Sequence, residues 1–134
     1  MMGDFISIQS LNVLVIDKNT EVSIMLERAL FRFGHSVTVF NNPVKALEYL
    51  DNNSNYGAVI TDCFLDKNNF NFNHELNGLI LLDTLLLIKK LPVLVWSEYV
   101  DQLGSYIQYK NQVTLLRKPE GNLLHIFRWL DSIK

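Results

Sequence analysis

Short apolar runs alternate with amphipathic segments along this chain, and the alternation constrains the fold more than any other feature. LNVLVI (11–16), GAVITD (57–62) and PVLVWS (92–97) are almost continuously apolar, which is typical of strands buried on both faces. SVTVF (36–40) and VTLLRK (113–118) are two further strand candidates. Because a helical pattern follows each run, the sequence predicts a parallel sheet with helices on both faces.

The five segments between and after these runs carry helical signals. Thr20 is the predicted N-cap of the first helix, although Asn19 is an equally good cap residue, and Gly34 is the predicted C′ residue. Asn42 is the predicted N-cap of the second helix, with Pro43 at its first position. The predicted helical segments are 20–34, 43 onward, 75–90, 98–110 and 121–134.

Composition and charge narrow the class of protein. The 134 residues fit one domain over 1–134 with a core at about 11–134, and 49% hydrophobic residues predict a packed globule. A net charge of -2 gives no electrostatic reason to bind nucleic acid or an anionic membrane. The first ten residues do not resemble a signal peptide, and the apolar run 79–88 is too short to span a bilayer. With Cys63 as the only cysteine, we expect a cytoplasmic protein without an internal disulfide.

Polar residues stand at the ends of four predicted strands. These residues are Asp17, Asp62, Ser97 and Lys118, which Pro119 follows. Because the carboxyl ends of parallel strands lie at one edge of a sheet, we expect the four side chains to share a site. Two carboxylates, a hydroxyl and an ammonium suit metal-assisted phosphoryl transfer to a carboxylate. Each residue also has a plainer interpretation as a cap or a solvated strand end.

On these residues the sequence resembles the receiver domains of two-component response regulators, the CheY-like family. The matching motifs are VLVID, VITD, PVLVWS and RKP, together with the 45-residue step from Asp17 to Asp62. The resemblance covers residues 11–134. It implies an α/β fold: a doubly wound, five-stranded parallel sheet of order 2-1-3-4-5 with five helices, a flavodoxin-like three-layer sandwich.

The resemblance also implies a role for each strand-end residue. Asp62 would accept a phosphoryl group from a histidine kinase, and Asp17 would belong to the acidic pocket that holds Mg²⁺. Ser97 would be the switch hydroxyl that bonds the phosphoryl oxygens. Lys118, followed by Pro119, would pair with the phosphoryl group.

The residue after Asp17 departs from the family, which carries a second acid there. In this chain it is Lys18, so two acids face two lysines where the family has three acids and one lysine. Replacing a ligand carboxylate with an ammonium turns an attraction for a divalent ion into a repulsion. Mg²⁺ bound by Asp17 and Asp62 is therefore expected to be weak or absent.

Three further departures surround the expected site. Residues 63–77 form an insertion, in which Asp66 or Glu75 could replace the missing acid or the loop could bind a partner. Glu98 follows the switch hydroxyl, where the family has a small residue. Leu115 stands where the family often has an aromatic switch residue. His35 and His125 show no pattern that indicates a site.

The leading functional hypothesis is a non-enzymatic receiver module of a phosphorelay that regulates a partner by protein–protein contact. Two versions are open: slow phosphorylation at Asp62, which the retained Ser97 and Lys118 favour, or a pseudo-receiver, which Lys18 favours. The partners that the resemblance implies are a histidine kinase or phosphotransfer protein, a downstream protein and a second copy through residues 99–134. The alternative is a small phosphotransferase or hydrolase with Asp62 as nucleophile. That alternative is weaker, because such enzymes need an acid two residues on and Phe64 stands there.

Overall fold

A five-stranded parallel sheet forms the centre of the computed structural model, which describes residues 10–62, 82–97, 113–117 and 123–133. The strand order is β2-β1-β3-β4-β5, as predicted. The strands and α-helices in chain order are β1 (Asn12–Ile16), α1 (Thr20–Arg32), β2 (Ser36–Phe40), α2 (Pro43–Asn52), β3 (Ala58–Thr61), β4 (Val93–Ser97), β5 (Val113–Arg117) and α3 (Leu123–Ser132).

The core has two halves because successive strand residues point to opposite faces of the sheet. Leu14 and Ile16 of β1 face α2 and the helical segment at 82–88. Val13 and Val15 alternate with them along β1 and face α1 and α3. All four side chains are fully buried. The predicted three-layer arrangement, with helices on both faces, is therefore present in the described residues.

The ends of α1 follow from local hydrogen bonds. Asn19 is the N-cap, and its side-chain oxygen accepts hydrogen bonds from the backbone N–H groups of Glu21 (3.0 Å) and Val22 (3.2 Å). The prediction of Thr20 as the cap was wrong by one residue. Gly34 is the predicted C′ residue, with φ at +88°, a conformation that glycine adopts without steric cost. At the start of α2, the predictions of Asn42 as N-cap and Pro43 as first residue are confirmed.

His35 has a structural role that its sequence context did not indicate. Its side chain is buried, and its Nδ1 accepts a hydrogen bond of 3.2 Å from the backbone N–H of Leu11. The backbone N–H of His35 donates to the carbonyl of Leu30 (3.1 Å). One residue thus joins the chain before β1 to the end of α1.

The helix predicted over 75–90 is described only from residue 82, and Thr84–Ile88 form a π-helical turn. The N–H of Lys89 donates to the carbonyl of Thr84, five residues earlier, at 3.0 Å. The helix predicted over 98–110 lies outside the described residues. Within the described ranges, no helix is both long enough and apolar enough to cross a membrane.

Candidate functional site

Asp17 directly follows β1 and Asp62 directly follows β3, at the same level of the sheet. The register pairs Ile16 of β1 with Thr61 of β3, and the two aspartates are the next residues. The backbone N–H of Asp62 continues the ladder by donating to the carbonyl of Ile16 at 2.8 Å. Asp17 is 2% exposed and Asp62 is 7% exposed. Two buried carboxyl groups therefore lie on adjacent strands, whose usual spacing is about 4.8 Å.

Local bonds fix the conformation of Asp17. Its backbone N–H donates to the carbonyl of Phe40 (3.0 Å), which extends the pairing of β1 with β2. Its Oδ1 accepts from the backbone N–H of Asn19 (2.8 Å), which closes a tight turn across Lys18. The aspartate therefore shapes the turn into α1 and also presents a carboxylate at the sheet edge.

Ser97 is the last residue of β4, on the other side of β3 from β1. The register pairs Thr61 with Val95, so Ser97 lies one residue beyond the level of Asp62. Its side chain is 1% exposed. Its register partner is Arg117 in β5. The structure thus brings Asp17, Asp62 and Ser97 to one edge of the sheet.

The remaining predicted site residues lie outside the described residues. They are Lys118, Pro119, Glu98 and Asp66, together with the 63–77 insertion and Glu75. Arg117, the last described residue of β5, lies at the same edge as Ser97, and Lys118 follows it in the chain.

Lys18 occupies the position after Asp17 and is exposed. Within the described ranges, no ion pair joins its ammonium group to the carboxylate of Asp17 or Asp62. The lysine therefore follows Asp17 in the chain without a direct ion pair to either acid in the described part of the structure. An exposed charge acts on an incoming ion through solvent, and its effect depends on salt concentration.

The described side chains supply the carboxylates with which Mg²⁺ is usually held, but no third protein acid. This ion takes oxygen ligands in octahedral geometry and is usually held by one or two carboxylates with help from phosphate groups. Asp17 and Asp62 supply two carboxylates, one of which already accepts the turn bond from Asn19. Among the residues described, there is no group of three His, Cys, Asp or Glu that could hold a metal ion. Weakened Mg²⁺ binding through Lys18 stays a prediction.

Two residues that the sequence did not single out contact the backbone of Asp17. Asn41 Nδ2 donates to the carbonyl of Asp17 at 2.6 Å, and the hydroxyl of Ser23 donates to the same oxygen at 3.2 Å. Ser23 is 1% exposed. A serine on the buried side of α1 was a usable signal, because a buried hydroxyl needs a partner. Asn41 offered no such signal, since its partner lies 24 residues away.

Comparison with solved structures identifies the architecture. A response regulator receiver domain protein from Clostridium thermocellum superposes with a TM-score of 0.75 at 20% identity, over 92% of this chain and 93% of that one. The receiver domain of the response regulator PhyR from Erythrobacter litoralis gives 0.71 at 20% identity, over 92% and 89%. The chemotaxis protein CheY4 of Vibrio cholerae gives 0.71 at 16% identity, over 94% and 100%. The chain has the receiver-domain fold.

The sequence itself matches no protein-family model and no curated protein. The likeness to the three receiver domains is therefore a likeness of fold. In this receiver fold the two buried aspartates follow β1 and β3, and the buried serine ends β4.

Proposed function

We propose that this chain is a receiver module of a two-component phosphorelay and that Asp62 is its phosphoacceptor. The observation that carries the proposal is the pair of buried carboxyl groups, Asp17 and Asp62, side by side at the carboxyl edge of a receiver-fold sheet. The output is protein–protein contact, and the module is not an enzyme in its own right.

The chemistry is transfer of a phosphoryl group to a carboxylate. A carboxylate oxygen of Asp62 forms the new P–O bond while the P–N bond of a phosphohistidine breaks, and the histidine nitrogen leaves with the electron pair. The Ser97 hydroxyl donates to a phosphoryl oxygen, and Lys118 balances the negative charge of the phosphoryl group. Asp17 completes the acidic pocket.

Lys18 makes this a receiver with weak affinity for Mg²⁺. An exposed ammonium beside two carboxylates lowers the local negative potential that attracts a divalent cation. Phosphorylation would then be slow, and in the limiting case the module is a pseudo-receiver that works without it. Glu98 and the 63–77 segment with Asp66 are the other atypical neighbours of the site.

The proposed partners are a histidine kinase or phosphotransfer protein and a downstream protein, with a second copy as a further partner through residues 99–134. In that range the described residues belong to β5 and α3. Leu124 of α3 is 52% exposed, and Trp129 is half-buried. An exposed apolar side chain and a partly exposed aromatic one on the same helix suit a protein contact.

Intact mass after incubation with acetyl phosphate and Mg²⁺ tests the proposal. We expect the wild-type chain to gain at most one phosphoryl group and Asp62→Asn to gain none. Asp83→Asn is the control, because Asp83 is an exposed acid beside the π-helical turn and is not part of the site. Label that persists in Asp62→Asn would refute the role of Asp62.

If the wild-type chain takes no label, Lys18→Asp decides between the two versions. Label gained by Lys18→Asp and lost again in the double variant with Asp62→Asn supports a pseudo-receiver with an intact acceptor. If neither the wild-type chain nor Lys18→Asp takes label, the result contradicts Asp62 as phosphoacceptor. Steady turnover of a small phosphoester would instead favour the phosphotransferase or hydrolase alternative.

A further inference from the structure

The turn that carries Asp17 and Lys18 is held from a different part of the chain. Asn41 lies directly after β2, yet its Nδ2 reaches the carbonyl oxygen of Asp17 at 2.6 Å and the hydroxyl oxygen of Ser23 at 3.3 Å. A carbonyl oxygen can only accept, so the atom of Asn41 that faces Asp17 has to be the donating nitrogen. The orientation of the Asn41 amide is thus set by its partners.

Ser23 cannot replace Asn41 in this arrangement. Its single hydroxyl hydrogen is shared between the carbonyls of Asp17 (3.2 Å) and Asn19 (3.0 Å). The two hydrogens of the Asn41 amide serve the Asp17 carbonyl and the Ser23 oxygen separately. Asn41 therefore makes the shorter of the two hydrogen bonds to the carbonyl of Asp17, and its donated hydrogen is not shared with another acceptor. Asp17 itself is buried.

The peptide group held in this way joins Asp17 to Lys18. Its carbonyl end is bonded to Asn41, and the turn is closed on its far side by the bond from the Asn19 N–H to Asp17 Oδ1. Fixing this peptide plane restrains the turn in which the Asn19 N–H holds the Asp17 carboxylate and from which the Lys18 side chain extends. We propose that Asn41 is a positioning residue for the acidic pocket, an inference that rests on the proposed receiver function.

The adjacent asparagine provides a matched control. Asn42 Oδ1 accepts hydrogen bonds from the backbone N–H groups of Val44 (2.8 Å) and Lys45 (3.1 Å), which caps α2. Asp is as good an N-cap as Asn, so Asn42→Asp should be tolerated. The same substitution at position 41 replaces a donor with an acceptor that faces the Asp17 carbonyl. Both variants add one negative charge at the same edge of the sheet, so charge alone does not distinguish them.

Amide hydrogen exchange on the full chain tests the positioning role. In Asn41→Ala and Asn41→Asp we expect the Asp17 and Asn19 amides to exchange at least about fivefold faster than in wild type, as expected from the loss of one hydrogen bond that holds the turn. In Asn42→Ala the faster exchange should appear at Val44 and Lys45 instead. Unchanged exchange at Asp17 and Asn19 in both Asn41 variants would overturn the inference.

The rate of labelling by acetyl phosphate then separates positioning from simple stabilisation. At equal folded fraction, Asn41→Asp should label at least about fivefold more slowly than Asn42→Asp, in the Lys18→Asp background if wild type takes no label. Equal rates in the two variants would overturn the positioning role even if exchange had changed. Absence of label from every protein would refute the phosphoacceptor proposal alone, because exchange still decides whether Asn41 holds the turn.

Discussion

Replacing Lys18 with aspartate should convert the site into one that binds Mg²⁺. Lys18 is exposed and follows a buried acid, so the substitution alters the charge beside Asp17 without touching the core. It removes a repulsion from the ion and supplies a third carboxylate near Asp17 and Asp62. The turn itself should persist, because its bonds involve the side chains of Asp17, Asn41 and Ser23 rather than that of Lys18.

The size of the effect follows from screened electrostatics. An exposed pair of unit charges is worth up to about 1 kcal/mol, and a divalent ion doubles that. Reversing the charge removes the repulsion and adds an equal attraction, which gives up to about 4 kcal/mol, or about half of that if Lys18 swings away. At about 1.4 kcal/mol for each factor of ten, Mg²⁺ affinity should rise roughly 30- to 700-fold.

Isothermal titration with Mg²⁺, supported by the shift of the Asp62 amide signal in NMR spectra, measures this change. Lys18→Ala should show up to about half of the largest gain in free energy, and almost none if Lys18 swings away, because it removes only the repulsion. Lys90→Asp is the matched control: it makes the same change of net charge, but Lys90 precedes β4 and lies at the opposite edge of the sheet. Equal affinities for Lys18→Asp and Lys90→Asp would refute the electrostatic account of the site.

Two further predictions concern stability. Burial raises the pKa of Tyr56, and its hydroxyl bonds Thr38 (2.9 Å) and Tyr49 (3.0 Å). The neutral phenol is thus favoured in the folded state. Wild type should be about 1 kcal/mol more stable to unfolding than Tyr56→Phe at pH 7. That advantage should fall as the pH rises above the pKa of about 10 that tyrosine has in the unfolded chain. Urea unfolding at pH 8 and above pH 10 checks this, and an advantage that grows with pH would contradict it. Leu30→Ala, at a fully buried position, should cost about 2–5 kcal/mol. Phe31→Ala, next to it and 75% exposed, should change stability by no more than about 0.5 kcal/mol; similar costs for both would contradict the described core.

The sheet was predictable because its signal is local. Strands buried on both faces read as nearly continuous apolar runs, as 11–16 does in β1 and 57–62 does in β3. The order of the strands was predicted from the resemblance to receiver domains, which rests on the residues at the strand ends. Asp17, Asp62 and Ser97 reach one edge because parallel strands share a direction.

The details that escaped prediction depend on contacts between distant residues or on competition between neighbours. Asn19 and Thr20 are both good N-caps, and the bond from the Asn19 N–H to Asp17 favours the first. His35 pairs with Leu11, and Asn41 pairs with Asp17, each across 24 residues. Neither pairing leaves a periodic pattern, and an isolated polar residue beside a strand is too common to indicate a partner.

The position of β1 between β2 and β3 has a consequence for how the chain acquires its site. β1 pairs on one side with β2, and α1 contacts both strands, so residues 12–40 are connected by nearly local contacts. Local contacts form early in folding because closing a short loop costs little entropy. We therefore expect the nascent chain to assemble the Asp17 turn first, with β3 adding Asp62 afterwards. The Asp17–Asp62 pair would then be in place before β4 brings Ser97 to the same edge of the sheet.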